Sequence, residues 1–379
     1  MGNLWGLFPS IGNVLINSPE FGLNVSEYSI LAFTLIGASI LFSVLAGFIG
    51  REKGMKMLVL QCLAFFIIAS IFYGVANFQR NQTIFLWLLG AQFFLGLGIG
   101  GIITSFSSYL YFLIPDKTPV VFTAIFSCIN FGSWSMPFIY HLICNDQNWW
   151  VLSSIFGFIS LILFFIGSRF LPDVKNPYVS TFEIKCLPNS FWLFFFLVFL
   201  FANIENSIDS WAAIYLNQVK KIPVGSLNLG LSIFWGIVGL GQLSVCLLLK
   251  WVKSYVIYGI LPVFIVFGYY GLCFSDNQFE GILFFTLSAL GCSAFFALSM
   301  SFVEKKFSKF TEIVTGIMAM SYFIGSITNS GIFEVSLRFM DLSVSTVFVF
   351  IGSFSVVLSA LTIYTINKFI YPINHSNDV

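Results

Sequence analysis

The stretch from Ser190 to Val219, SFWLFFFLVFLFANIENSIDSWAAIYLNQV, is the most informative part of this sequence. It begins as an unbroken apolar run and then admits two carboxylates, Glu205 and Asp209, four residues apart. Residues four apart lie on one face of a helix. A membrane helix with a polar face must line water, a solute or another polar helix, because lipid cannot satisfy such groups. The stretch therefore indicates a transporter. The other polar residues of that face are Asn203, Asn206, Ser207, Ser210 and Asn217.

The composition is that of an integral membrane protein. Of the 379 residues 58% are hydrophobic and 9% are charged, whereas a soluble domain has roughly 25% charged residues. The net charge of +1 gives no electrostatic basis for binding nucleic acid. The seven cysteines are scattered singly and form no C-x-x-C pair, so we predict no metal site, disulfide framework or cofactor.

Apolar runs near the ~20 residues of a bilayer span continue along the whole chain. The first is too short to cross, so either it is a half-span or residues upstream of Met1 belong to it. No basic segment precedes it, which argues against a cleaved signal peptide. We place the twelve spans at about 1–16, 28–50, 55–76, 84–114, 119–143, 149–171, 191–217, 226–250, 254–274, 279–303, 311–336 and 343–370.

The basic residues predict an orientation. If the loop at 51–56 is cytoplasmic, 13 of the 17 Lys and Arg residues fall on that side. The four on the other side are Arg80, Lys220, Lys221 and Arg338. The positive-inside rule then places both the loop and the C-terminus on the cytoplasmic side. We expect the membrane to be the cell (inner) membrane.

The connection 172–190 separates six spans from six. It contains three prolines, which resist helix continuation. We predict an N-terminal six-helix bundle at 1–171, a cytoplasmic linker at 172–190 and a C-terminal bundle with a short tail at 191–379. In transporters built from two repeats, the solute site lies between the halves.

The loop GFIGREKGMK, Gly47 to Lys56, resembles the signature loop of the major facilitator superfamily. In that loop a glycine packs two helices closely and basic residues hold a cytoplasmic gate. Four residues match: Gly47, Arg51, Gly54 and Lys56. Gly50 stands where the family has an aspartate, so the charge pairing of the gate is not carried over. The opening from Phe8 to Leu31 resembles the end of span one and the start of span two, which favours a truncated first span.

Two further patches are similar to the fucose permease-like branch of sugar–proton symporters. They are INFGSWSMPF from Ile129 in span five and NIENSIDSWAAIYL from Asn203 in span seven. Glu205, Trp211 and Tyr215 match the second patch, whereas Asp209 falls where a small residue is usual. The branch carries acids in spans one and four. Span four has Gln92 instead, so that coupling chemistry is not carried over.

Polar stripes on other spans predict the rest of a central site. Asn130 can hydrogen-bond a hydroxylated or amide solute, and Trp134 offers a face for stacking. Packing between helices remains the alternative for each stripe. The G-x-G-x-x-G of span four lies inside an apolar span, so we interpret it as a surface for close helix contact and not as a dinucleotide site. The candidate solute- and proton-binding residues are Glu205, Asp209, Asn130, Trp134, Gln92, Tyr322, Asn329 and Trp211.

The predicted fold is an all-α polytopic membrane protein of the major facilitator type, with two pseudo-symmetric six-helix bundles. The predicted function is secondary transport of a small organic solute by a monomer in the lipid bilayer, coupled to a proton through Glu205. An efflux pump for amphipathic compounds and a transport-dead sensor or scaffold are the alternatives. An intramembrane enzyme would need a His/Asp/Glu or Ser/Lys cluster at membrane depth, and the chain offers only the acids of span seven.

Overall fold

The computed structural model describes residues 1–17, 23–79, 82–144, 148–176, 187–221 and 227–371. In these ranges the chain is helical and contains no strand. The helices of the first half are α1 Gly2–Asn17, α2 Val25–Lys53, α3 Met55–Ala76, α4 Gln82–Leu113, α5 Thr118–Ile143 and α6 Val151–Phe170. Those of the second half are α7 Asn189–Ile214, α8 Leu227–Leu248, α9 Ser254–Phe274, α10 Gln278–Cys292, α11 Phe295–Lys306, α12 Thr311–Arg338 and α13 Val344–Thr365.

The helices match the predicted spans closely. Within the described residues, ten helical stretches are long and apolar enough to cross a membrane. The other two predicted spans are α1, with 16 residues, and α8, whose segment Ser232–Leu248 is a shorter apolar helix. Predictions that fall on Arg80, on 177–186 of the linker and on the tail from 372 lie outside the described residues.

Span ten is built from two helices. Helix α10 ends at Cys292 and α11 begins at Phe295, while the stretch Gln278–Lys306 counts as one apolar span. Ser293 donates both its backbone N–H and its Oγ to the carbonyl of Leu290, at 3.2 and 2.7 Å. The carbonyl that the interruption frees is therefore paired locally.

Side-chain caps fix where several helices begin. Asn24 accepts from the backbone N–H of Glu27, and the Glu27 carboxylate accepts from the Asn24 N–H, at 2.8 and 2.9 Å. This reciprocal pair is a capping box, which satisfies two otherwise unpaired donors of a helix start. At the start of α10, the Asn277 side chain accepts from the backbone N–H of Glu280 at 3.0 Å.

Contacts between residues divide the chain into two compact units. Unit 1 comprises Met1–Leu113, Gly132–Ser180 and Lys309–Met320, and unit 2 comprises Ile114–Phe131, Thr181–Ser308 and Ser321–Val379. The first turns of α12 thus group with helices of the first half, and the first half of α5 groups with helices of the second. The predicted division at 172–190 stays a prediction beside this grouping.

Unit 1 is held together by close helix contacts through small residues. Helix α4 packs against α2 and α3. A Cβ added at Gly96 would lie 2.3 Å from the carbonyl oxygen of Leu35, and one at Gly100 would lie 2.3 Å from that of Ser39. The backbones of α2 and α4 therefore touch, as small-residue interfaces in membranes allow. The interpretation of the span-four glycines as a packing surface is confirmed.

Unit 2 has an aromatic core. Helix α9 packs against α10 and α13, and α13 packs against α7. The Phe295 ring at the start of α11 lies between Phe201 and Tyr258, with ring centroids 5.0 and 4.6 Å away. On α9, the Tyr269 hydroxyl donates to the backbone oxygen of Phe348 at 2.9 Å, which links α9 to α13. Helix α7 takes part in this core through the Phe201 ring.

Candidate functional site

Glu205 lies inside unit 2 and pairs with a tyrosine from α12. Its side chain is 5% exposed, and the Tyr322 hydroxyl donates to Glu205 Oε2 at 2.7 Å. The ring of Phe296 lies 4.9 Å from that of Tyr322 and covers it. The sequence singled out both Glu205 and Tyr322, and the structure brings them into direct contact.

Asp209 is one helical turn further along the same face of α7. Its side chain is half-buried, and its Oδ1 is buried without a hydrogen-bond partner among the described residues. Neither Asp209 nor Glu205 makes an ion pair with any residue that the structure describes. Among these residues the two acids are therefore neighbours without a basic partner.

Two other contacts fasten α7 to α12. The Asn329 amide donates to the backbone oxygen of Asn203 at 2.9 Å. The Trp211 ring stacks on Phe333, with centroids 3.9 Å apart and planes inclined by 4°. On α7 these two contacts lie on either side of Glu205, and on α12 both lie after Tyr322.

Asn130 of α5 reaches α8 within unit 2. Its amide nitrogen donates to Gln242 Oε1 at 2.8 Å, and Ser127 donates to the Gly239 carbonyl at 2.9 Å. Both polar residues take part in interhelical hydrogen bonds, which was the alternative considered for this stripe. Trp134, one turn beyond Asn130 on α5, belongs to unit 1, is 40% exposed and meets the ring of Phe138 edge-on.

Gln92 is fully buried inside unit 1. Its amide nitrogen donates to the Tyr73 hydroxyl at 2.9 Å, and its Oε1 has no hydrogen-bond partner among the described residues. The Tyr73 ring in turn meets Trp149 edge-on at 6.4 Å. Gln92 lies in unit 1, whereas Glu205 lies in unit 2.

An apolar cavity of about 450 Å³ also lies within unit 1. It is lined by residues of α1, α3, α4 and α6, among them Phe66, Phe106 and Phe156. None of the candidate solute-binding residues contributes to it.

The four loop residues predicted to form a gate lie at one end of unit 1. Gly47 permits a close approach, since a Cβ there would lie 2.7 Å from the Glu312 carbonyl oxygen. Arg51 Nη1 donates to the Lys309 carbonyl at 3.5 Å. Gly54 has a φ of +91°, which side-chain-bearing residues rarely adopt. Lys56 is half-buried on the first turn of α3.

Sequence reasoning missed two polar residues at this end. Glu312, in the first turn of α12, is fully buried, and Asn176 of the linker donates to its Oε2 at 2.9 Å. A carboxylate at the start of a predicted span, beside three lysines, was the available signal.

The two carboxyl groups of α7 are chemically able to bind a proton. Two neighbouring acids without a basic partner repel each other when both are charged, so binding one proton or one cationic group relieves the repulsion. In the part of the chain that the structure describes, no group of three or more His, Cys, Asp or Glu side chains could hold a metal ion.

Comparisons with known proteins agree with this architecture. The family model "Major Facilitator Superfamily" matches residues 1–330. A variant of the E. coli fucose:proton symporter FucP is similar in structure, with a TM-score of 0.75, 14% identity and 96% of each chain covered. FucP solved in the outward conformation gives the same values. At this identity the likeness shows the fold. No curated protein sequence matches the chain.

Proposed function

Because the chain belongs to the major facilitator superfamily, we propose that it moves a small organic solute across the membrane by alternating access, coupled to a proton. The transporter class follows from the family, and the coupling is the finer proposal. It rests above all on the Glu205 carboxyl, which is 5% exposed, receives the Tyr322 hydroxyl at 2.7 Å and has no basic partner in the described residues.

A buried carboxylate is costly unless it is paired or neutralised. One hydrogen bond from Tyr322 orients the Glu205 carboxyl but leaves its charge uncompensated. Protonation removes that charge. A site that opens alternately to each side can therefore take up a proton on one side and release it on the other. Asp209 strengthens the effect, because its charge lies one turn away on the same face.

The residues around Glu205 indicate only the broad chemical class of the solute. Tyr322 and Phe296 offer aromatic rings beside Glu205, and carboxyl and amide groups offer hydrogen bonds. Such a mixture suits a small hydroxylated solute. FucP is a fucose:proton symporter, so fucose is the first solute to test on this chain.

The test is transport by purified protein in liposomes that enclose a pH-sensitive dye. Addition of radiolabelled fucose and a panel of other sugars should give uptake that accelerates under an inward proton gradient, together with acidification of the lumen. We expect Glu205→Gln to abolish gradient-driven accumulation while leaving the protein folded. The matched control is Glu334→Gln, an exposed acid on α12 that pairs with Arg338, and it should transport normally.

Gradient-driven accumulation that survives in Glu205→Gln would refute the role of this carboxyl. Uptake that ignores the pH gradient in the parent protein would refute proton coupling altogether. Either result leaves the family assignment intact.

A second candidate function is efflux of amphipathic compounds. The observation that favours it is the apolar cavity of about 450 Å³ in unit 1, because drug-sized ligands occupy cavities of roughly 300–1,000 Å³. A resistance screen in an expressing strain separates the two candidates: protection against amphipathic dyes, without sugar uptake, would favour efflux.

A further inference from the structure

Three helix ends meet at one place in unit 2. The rings of Tyr258 on α9 and Phe302 on α11 pack edge-on with centroids 5.2 Å apart, and the Tyr258 hydroxyl hydrogen-bonds Ser299 at 2.9 Å. Tyr258 lies one turn after the start of α9, and Phe302 lies one turn before the end of α11. The Tyr255 ring of α9 meets the ring of Tyr371, just past α13, edge-on at 5.7 Å. The start of α9 therefore lies beside the ends of α11 and α13.

Two ammonium groups share one aromatic ring at this place. The Nζ of Lys306, the last residue of α11, lies 4.3 Å from the centroid of the Phe369 ring, and the Nζ of Lys368 lies 5.5 Å from the same centroid. Lys368 also donates to the Tyr364 hydroxyl at 2.7 Å. Aromatic faces attract cations, so the Phe369 ring holds the two positive charges near each other.

Acids do not compensate these charges in the part of the chain that the structure describes. Neither Lys306 nor Lys368 makes an ion pair with a described residue. Glu304 precedes Lys306 by two residues, and residues two apart do not face each other on a helix. Glu304 is fully buried, whereas Lys306 is half-buried and Lys368 is exposed. The two ammonium groups are therefore accessible to an anion that is not part of the described chain.

The start of α9 adds to the attraction for an anion. Helix α9 has 21 residues and begins after Lys253 without a side-chain cap. The first N–H groups of a helix are donors without an intrahelical partner, and that end of the helix dipole is positive. The exposed side chain of Lys253 brings a further positive charge to the same helix start.

An apolar surface leads up to these lysines. On α13, the exposed residues Val357 and Tyr364 lie eleven and four positions before Lys368, which places all three on one face. On α9, the exposed Ile260 follows Lys253 by seven positions and shares its face. The two helices pack against each other. The lysines thus stand where a membrane-facing apolar surface ends, which is the level of lipid headgroups.

We propose that one phospholipid with an anionic headgroup binds here, with its phosphate at Lys306 and Lys368 and its acyl chains along α9 and α13. The lysines attract the phosphate, as in basic pockets between membrane helices. The apolar surface beside them accepts the chains, which a free anion lacks. A zwitterionic headgroup brings its own cation, which the lysines repel. The basic residues also predict this end to be cytoplasmic, where anionic lipids give the membrane a negative surface.

The experiment measures the binding of single lipids to the purified full chain in detergent by native mass spectrometry. Phosphatidylglycerol is the probe, and phosphatidylcholine with the same acyl chains is the comparison. One lysine close to an anionic lipid strengthens its binding by about five-fold. We expect the parent to bind phosphatidylglycerol more tightly than phosphatidylcholine. Lys306→Gln and Lys368→Gln should each weaken the binding of phosphatidylglycerol by about five-fold.

Two further variants make the result specific. Lys305→Gln is the matched control, because Lys305 is exposed and its neighbouring position on α11 faces another direction than Lys306. This control should bind phosphatidylglycerol like the parent. Lys306→Arg keeps the cation over the Phe369 ring and should also bind like the parent. If Lys306→Gln fails to fold, Lys368→Gln tests the same phosphate contact from α13.

Equal affinities of the parent for the two lipids would overturn the proposal. Equal losses in Lys305→Gln and Lys306→Gln would overturn the assignment to this place, because they would show a general effect of charge. Inorganic phosphate, added at the concentration of the lipid, should leave phosphatidylglycerol bound. Displacement of the lipid by phosphate would show that the lysines take a free anion, and it would overturn the choice of a lipid.

Discussion

Gly100 offers the sharpest test of how unit 1 is packed. In Gly100→Ala the new methyl group would lie 2.3 Å from the Ser39 carbonyl oxygen, whereas ordinary contact begins at 3.4 Å. Helices α2 and α4 must therefore separate by about 1.1 Å at this point. A backbone oxygen cannot rotate away as a side chain can. Overpacking of this kind costs about 1–3 kcal/mol.

The assay is the thermal unfolding transition of the purified protein in detergent. We expect Gly100→Ala to lower the apparent transition by roughly 2–12 °C, since 1 kcal/mol corresponds to about 2–4 °C in the larger domains. Gly37→Ala on α2 is the matched control, because a Cβ there meets nothing within 4 Å. That control should be neutral or slightly stabilising through helix propensity. Equal transitions in the two variants would refute the close approach of α2 and α4.

Two further predictions concern α7 and the orientation of the chain. Trp211→Ala removes a ring stacked 3.9 Å from Phe333 and should lower the apparent unfolding transition by several degrees. Trp211→Phe keeps an aromatic ring and should retain most of the stability, so similar losses in both variants would contradict a stabilising stack. The excess of basic residues on the side of the 51–56 loop predicts a cytoplasmic C-terminus. A tag fused to the C-terminus should resist protease added outside intact cells. Cleavage of the tag would show that the chain has the opposite orientation.

The spans were predictable because lipid leaves a chain few choices. A run of about 20 apolar residues must form a helix, since the bilayer core offers no partner for free backbone groups. The match to the Major Facilitator Superfamily model confirms the resemblance drawn from the Gly47–Lys56 loop. The interruption at Ser293 and Ala294 was not predicted, because small residues such as these also occur inside unbroken membrane helices, where they allow close packing.

The sequence was sufficient to predict several residues of the candidate site, but not which of them contact one another. Glu205 and Tyr322 each stood out on a polar stripe, but their contact depends on how α7 and α12 cross. Asn130 stood out in the same way, but only the packing of α5 against α8 shows that its amide nitrogen donates to Gln242 Oε1. Glu312 escaped notice because it follows a run of lysines that reads as an exposed loop, while the fold buries it.

The interruption in span ten has a mechanical consequence. Bending an intact helix stretches its i to i−4 hydrogen bonds on one side, and sharp bends occur where that ladder is already broken. At Ser293 the ladder is already open, and the Leu290 carbonyl is held by the N–H and Oγ of Ser293 itself. A change of angle there need not break that local pairing, so span ten is compliant at one point and stiff on either side of it.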